Sequence, residues 1–342
     1  MSLPLTEHVA RGARHTTFYL ACGGRTRPPI IFVHGWPELA VSWRHQLRCF
    51  GGLGFRAVAP DLCGYGRSSV YSRHADYALE AVVQDMLELL DTLGQERAVW
   101  VGHDWGSPVV WSLASHHPDR CRAVASLCVP YFANGFVPES FLPLVDRRIY
   151  PEAEFPAGQW EYQLFYQERF DQARSQFEAD VSATLKAVFR KGSSTGKGKP
   201  SPTAMVRRAG GWFGGAGRAP DLPRDADLLT EEDLSAHVAA LERNGFFGPD
   251  SYYMNHAENA RYATKARNRG RLDMPVLFLH AAYDYTCETL DSRLAEPMRQ
   301  DCSRLTEVVI QSGHWMAQEK PIEVNAAIAK WLATAGPDIW SV

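Results

Sequence analysis

The sequence predicts an α/β fold: a mostly parallel central sheet with helices on both faces, interrupted by an inserted, mainly helical segment. Two observations carry this. Short continuous apolar runs, the pattern of strands buried on both faces, alternate with amphipathic helical runs at both ends of the chain. Between residues 136 and 265 that alternation stops and the texture becomes aromatic and helical.

In order, Ile30-Ile31-Phe32-Val33 reads as a buried strand, and Ala57-Val58-Ala59 as a second. Leu79, Val82, Val83, Met86, Leu90 and Leu93 recur at helical spacing, and Gly94 stops the helix. A third strand runs from Ala98 to Val101. A helix follows from Pro108 through Ala114 and ends at Pro118, and Ala123 to Leu127 is a fourth strand. Strand, helix, strand, helix, strand implies parallel pairing through right-handed crossovers. The inserted segment holds Trp160, Tyr162, Phe165, Tyr166, Phe170, Phe177 and Phe189. From Gly192 to Pro223, Gly, Pro and Ser abound without periodicity, which predicts a long flexible loop. Helical pattern resumes over Glu231–Arg243. Strands return at Met274–Leu279 and Thr306–Ile310, and a closing helix spans Pro321–Leu332. The expected division is a core of residues 1–135 and 266–342 with a helical cap of residues 136–265.

Length and composition fit this reading. The 342 residues are 45% hydrophobic, enough for one substantial core plus an insertion, and the net charge of −3 gives no reason to expect nucleic acid or an anionic membrane as partner. Arg190, Lys191, Lys197 and Lys199 form one basic cluster, read as solvated surface. The cysteines number seven, Cys22, Cys49, Cys63, Cys121, Cys128, Cys287 and Cys302. The odd count, without C-x-x-C spacing, argues for free thiols in a reducing compartment and against zinc. The segment Met1–Glu7 lacks the charged and apolar regions of a signal peptide, and no run of ~18 apolar residues suggests a membrane span. These features predict a cytoplasmic monomer or homodimer that uses neither cofactor nor metal.

The chemistry centres on Gly102-His103-Asp104-Trp105-Gly106. The spacing is that of a nucleophile elbow with aspartate in the usual serine position. Small residues two before and two after the nucleophile are needed because the strained strand-to-helix turn has no room for side chains there. A serine elbow makes an acyl-enzyme. A carboxylate elbow attacks an sp³ carbon and becomes an alkyl ester. Asp284 follows the Met274–Leu279 strand, and His314 follows the strand ending at Ile310. The carboxyl ends of parallel strands share one edge, so Asp104, Asp284 and His314 are expected to meet there, in the chain order nucleophile, acid, base of the α/β-hydrolases. His314 would activate water while Asp284 fixes its tautomer. In His34-Gly35-Trp36-Pro37, after the first strand, the Trp36 N–H can join that of Trp105 in an oxyanion hole. His34 and His103 are read as residues that hold loops.

The segments His34-Gly35-Trp36-Pro37-Glu38, Gly64-Tyr65-Gly66-Arg67-Ser68, Gly102-His103-Asp104-Trp105-Gly106 and Gly313-His314-Trp315 resemble those of the α/β-hydrolase-fold epoxide hydrolases. The similarity covers almost the whole chain and is nearest to the soluble type, without its N-terminal phosphatase domain. Trp160-Glu161-Tyr162-Gln163-Leu164 and Gly248-Pro249-Asp250-Ser251-Tyr252-Tyr253-Met254-Asn255 resemble the cap segments that carry that family's two ring-opening tyrosines, which the resemblance assigns to Tyr162 and Tyr253. It implies hydrolysis of a small apolar or aromatic epoxide to a vicinal diol. The rival is a haloalkane dehalogenase using the same Asp-His-Asp set. Trp105 suits its halide site, but the Asn expected in the oxyanion loop is replaced by Trp36, and Trp160 or Trp212 would have to substitute.

Overall fold

Eight strands form one sheet in the order β1-β2-β4-β3-β5-β6-β7-β8. They are β1 (Thr6–Arg11), β2 (Thr16–Cys22), β3 (Pro29–Val33), β4 (Arg56–Pro60), β5 (Ala98–His103), β6 (Cys121–Leu127), β7 (Leu272–Ala281) and β8 (Cys302–Ile310). The structure, a computed structural model, describes residues 3–335 and residue 339. Met1 and Ser2, which head the N-terminal segment considered above, lie outside the described residues. So do residues 336–338 and 340–342 of the expected core.

β3 pairs in parallel with β4 and β5, and β5 through β8 continue in parallel, so their carboxyl ends lie along one edge. Ile30 to Val33, Ala98 to Val101 and Val276 to Leu279 are wholly inaccessible, as continuous apolar runs require. The helices Arg44–Gly52 and Pro321–Thr334 pack on one another, as do Leu79–Thr92 and Gly106–His116. The helix after the elbow begins at Gly106, two residues ahead of the predicted Pro108, and runs to His116.

Not foreseen from the sequence are β1 and β2, which are antiparallel to each other, with β2 also antiparallel to β4. β1, with the sequence Thr-Glu-His-Val-Ala-Arg, is a polar and mostly exposed edge strand. Charge on an edge hinders pairing with other chains, and it also erases the apolar signature.

Between Leu127 and Leu272 the described chain adds no strand to the sheet. Its main helices are Glu161–Glu178, Val181–Val188, Glu231–Asn244 and His256–Ala263. Thr230 and Asp233 start the third with reciprocal bonds, each side chain accepting the other's backbone N–H at 3.1 and 2.9 Å. Among the described residues no helix is long and apolar enough to cross a membrane.

The stretch 192–223 is irregular, with only three short 3₁₀ turns, yet it is fastened where a flexible loop was expected. Tyr150 accepts the Ser201 N–H at 3.0 Å. Arg207 bridges Glu161 and Glu168, each at 2.8 Å. The Trp212 N–H donates to Gln176 Oε1 at 2.8 Å, and its ring packs on Trp36, Tyr162, Tyr166 and Phe177. The nearby basic cluster meets acids: Lys191 pairs with Asp227 and Lys197 with Asp291, all exposed. Composition hid these anchors because each joins residues far apart in the chain.

Trp212 is the aromatic anchor of this stretch. Trp212→Ala should cost about 2–4 kcal/mol in urea unfolding and make residues 192–223 the first site of limited proteolysis. An unchanged cleavage pattern would contradict the anchoring.

Candidate active site

The elbow stands where β5 meets the helix Gly106–His116. Asp104 has φ +48°, a region an L-residue adopts only when its surroundings force it. The glycines leave the required space. A Cβ on Gly106 would lie 2.1 Å from the Val33 carbonyl oxygen, and one on Gly102 would lie 2.4 Å from that of Gly106. Gly35, on the loop after β3, passes so close that a Cβ there would sit 2.4 Å from Asp104 Oδ1 and 2.6 Å from the Trp105 nitrogen. This approach delivers the Trp36 N–H to Asp104 Oδ1 at 2.7 Å. The Trp105 N–H borders the same point but makes no hydrogen bond among the described residues.

His314 and Asp284 arrive from the loops after β8 and β7, three positions beyond the observed end of β7. His314 Nδ1 donates to Asp284 Oδ2 at 2.6 Å, and Nε2 faces Asp104 Oδ2 at 3.5 Å. Asp284 Oδ1 accepts the N–H groups of Thr286 and Cys287 at 3.1 and 3.0 Å, so both carboxylate oxygens are committed and the imidazole orientation is fixed. The Asp284 side chain is 3% exposed, whereas His314 keeps 23% and Asp104 16%. Solvent or a small molecule can therefore reach the Asp104–His314 gap, while the orienting acid is sealed. Burial alone would lower the His314 pKa. The Asp284 and Asp104 carboxylates outweigh it and hold the imidazole well above its ordinary value. Burial would raise Asp284, but the facing imidazolium and the two backbone N–H groups keep it low.

Tyr162, in the first turn of Glu161–Glu178, and Tyr253, in the turn Tyr252–Met254, meet edge to face with centroids 5.7 Å apart. Both phenols are raised well above 10, by burial first and with Asp104 among the further causes. Gln163 Nε2 donates to the Tyr162 hydroxyl at 3.1 Å. The Tyr253 hydroxyl has no hydrogen-bond partner among the described residues, and its ring packs on Trp105 at 5.1 Å. Two neighbouring tyrosines do other things. The Tyr252 hydroxyl donates to the Cys63 carbonyl at 3.1 Å, and Tyr166 stacks on Tyr253 at 4.3 Å and 6°.

Sequence reasoning gave Glu38 no role. Its Oε2 accepts the Gly35 N–H at 3.1 Å and faces His103 Nδ1 at 2.7 Å, while Oε1 accepts from Gln318 at 2.7 Å. His103 Nε2 lies 2.8 Å from the His314 carbonyl oxygen. Both partners of His103 are acceptors, so both ring nitrogens carry hydrogen and the ring is an imidazolium. Burial would lower His103, but Glu38 and Cys128 lift it from 6.5 to about 10. Burial would raise Glu38, but His103 pulls it from 4.5 to about 2. This buried pair ties the loop after β3, the elbow and the His314 backbone together. His34 is different: it accepts the Leu62 N–H at Nε2 and faces the Gly35 carbonyl oxygen through Nδ1, so it is neutral. Ligating atoms of His103, Cys128 and His314 lie within 4.8 Å of one another, but an imidazolium with both N–H groups engaged cannot bind a metal.

Residues 28–321 match the family described as the alpha/beta hydrolase fold. Over 308 residues the chain is 35% identical to epoxide hydrolase A of Mycobacterium tuberculosis, across 89% of this chain and 90% of that one. The chain belongs to the epoxide hydrolase family of α/β hydrolases. It is 33% identical to bifunctional epoxide hydrolase 2 of Sus scrofa, across 90% of this chain but only 52% of that one. The chain thus spans about half the length of such bifunctional relatives. Among solved structures, epoxide hydrolase A from Mycobacterium thermoresistibile superposes with a TM-score of 0.78 at 29% identity, covering 97% of this chain and 99% of that one.

The Glu38–His103 pair sets a pH signature in this epoxide hydrolase relative. Raising His103 to about 10 stabilises the fold fully below 6.5 and loses that effect as pH climbs to 10. Depressing Glu38 to about 2 stabilises it above 4.5 and loses that effect as pH falls to 2. The pair is therefore at full strength between 4.5 and 6.5. Glu38→Gln should cost about 3–5 kcal/mol at roughly pH 6 and clearly less at roughly pH 9, read by urea unfolding. Equal losses at both pH values would mean the two groups are not paired as ions.

Proposed function

We propose that the chain hydrolyses epoxides to vicinal diols through a covalent ester on Asp104. The observation that carries this reading is the pairing of Tyr162 with Tyr253, 5.7 Å apart by centroid and both under the influence of the Asp104 carboxylate. An epoxide oxygen leaves readily only when donors stabilise the developing alkoxide, and two phenols converging opposite a nucleophile do that. A dehalogenase has no use for such a pair.

In ring opening, an Asp104 oxygen forms a bond to the less hindered or better polarised epoxide carbon while the carbon–oxygen bond breaks. The leaving oxygen takes a proton from one tyrosine, and the His314 imidazolium returns a proton to the phenolate. Esterification removes the Asp104 charge, one of the groups that holds the His314 pKa up. Neutral His314 then accepts a proton from water, and the hydroxide adds to the ester carbon. The N–H groups of Trp36 and Trp105 hold the resulting oxyanion. Collapse expels the diol oxygen, which recovers its proton from His314. Residues 136–265 act as a cap that brings the phenols over the nucleophile. The expected substrate is a small apolar or aromatic epoxide, because Trp36, Trp105, Trp212, Tyr166 and Phe177 surround this spot.

His314→Gln should block the second half-reaction and accumulate an alkyl-enzyme, seen as an intact-mass increase equal to styrene oxide. Tyr162→Phe or Tyr253→Phe should each slow alkylation by roughly two to three orders of magnitude. The double variant should show no alkylation by stopped-flow tryptophan fluorescence. Wild-type alkylation in the double variant, together with bromide release from 1-bromobutane, would instead favour the dehalogenase.

A further inference from the structure

Trp36 serves the nucleophile with its backbone, and its indole engages a different partner. The indole Nε1–H donates to Asp250 Oδ1 at 2.9 Å. Asp250 is completely buried and lies in the short helix Phe247–Ser251, which runs directly into the turn Tyr252–Met254. The carboxyl group sits in aromatic surroundings, since Trp36 is also packed on Phe177, Trp212 and Phe246. Burying a carboxyl there is costly unless it does something an apolar residue could not. Other contacts already hold this segment to the core. A Cβ on Gly248 would lie 2.7 Å from the Gly64 Cα, and the Tyr252 hydroxyl bonds Cys63. Asp250 adds one direct polar link to the loop that carries the oxyanion donor. Burial pushes its pKa well up, so the group is the neutral acid, and no charge is stranded.

We propose that Asp250 is a positioning residue: by holding the Trp36 indole, it joins the amide that binds Asp104 to the turn that carries Tyr253, three residues on. The chain of contacts is short: Asp104 Oδ1 to Trp36 N–H at 2.7 Å, Trp36 indole to Asp250 at 2.9 Å, then backbone to Tyr253. Nucleophile and phenol are thereby held at a set separation although they come from segments about 150 residues apart. This role rests on the epoxide hydrolase reading, since it assigns Tyr253 to the substrate oxygen.

The test is a set of variants with styrene oxide as substrate. Asp250→Leu removes the acceptor and should lower kcat by about tenfold to a hundredfold, with KM within about threefold. Asp250→Asn keeps a neutral acceptor oxygen and should recover kcat to within about threefold of wild type. Trp36→Phe should match Asp250→Leu, and combining the two should cost no more than either alone. Undiminished kcat in folded Asp250→Leu, failure of Asn to rescue, or additive losses in the double variant would each overturn the proposal. Should Asp250→Leu not fold, the comparison of Trp36→Phe with Asp250→Asn decides. Hydrogen exchange of the ¹⁵N-labelled Trp36 indole gives a readout independent of turnover. The indole should be protected in wild type and Asp250→Asn. Free exchange in wild type would refute the link, whereas protection in an enzyme that hydrolyses no epoxide would refute only the functional reading.

Discussion

One backbone constraint organises the molecule. Asp104 is held at φ +48° at the end of a strand buried on both faces, with glycine on either side and a third glycine crossing its carboxylate. The strain places a carboxylate above the sheet edge, where it can reach both a substrate and a histidine. The surroundings maintain it. β5 is sheathed by β3 and β6, Gly106 touches the β3 backbone, and the Glu38–His103 pair binds the crossing loop to the elbow. A side chain at any of the three glycines would collide with backbone or with Asp104 itself.

Electrostatics around this point are graded from inside outward. The Glu38–His103 pair is sealed and permanent at neutral pH. Asp284 is sealed, with one oxygen on His314 and the other on the N–H groups of Thr286 and Cys287. Asp104 and His314 retain access to solvent, so they are the groups free to change their protonation or covalent state. The proposed cycle exploits this gradient: the inner charges stay fixed while the outer pair exchanges a proton and a bond. In that cycle the phenols of Tyr162 and Tyr253, too weakly acidic to ionise at rest, keep their protons for donation.

Much of this was legible in the sequence for physical reasons. Doubly buried strands must be continuous apolar runs, so β3, β5, β6 and β7 announced themselves, whereas the mostly exposed edge strand β8 showed only through the β-branched run at its end. A strained elbow must carry small flanking residues, so Gly102, Asp104 and Gly106 stood out. Asp284 and His314 could be placed because strand ends share an edge. The rest was hidden where the determinant is a distant partner. β1 pairs through backbone groups and shows solvent-facing polar residues. The stretch 192–223 is ordered by Trp212, Arg207 and Ser201, whose partners lie 36 to 51 residues away or further. Glu38 stood inside a recognised motif, but only the fold reveals that His103 faces it. Asp250 carried no signal of its own, because its partner Trp36 lies 214 residues away in the chain.

The proposed cycle requires that a carboxylate oxygen of Asp104, and not a solvent oxygen, enter the diol. It is tested most directly by a single turnover of styrene oxide with excess enzyme in H₂¹⁸O, followed by mass spectrometry of the diol and of the peptide containing Asp104. An ester on Asp104 gives an unlabelled diol and one ¹⁸O in the Asp104 side chain. A labelled diol with an unlabelled peptide would mean that water attacks the epoxide directly, which contradicts the proposed cycle.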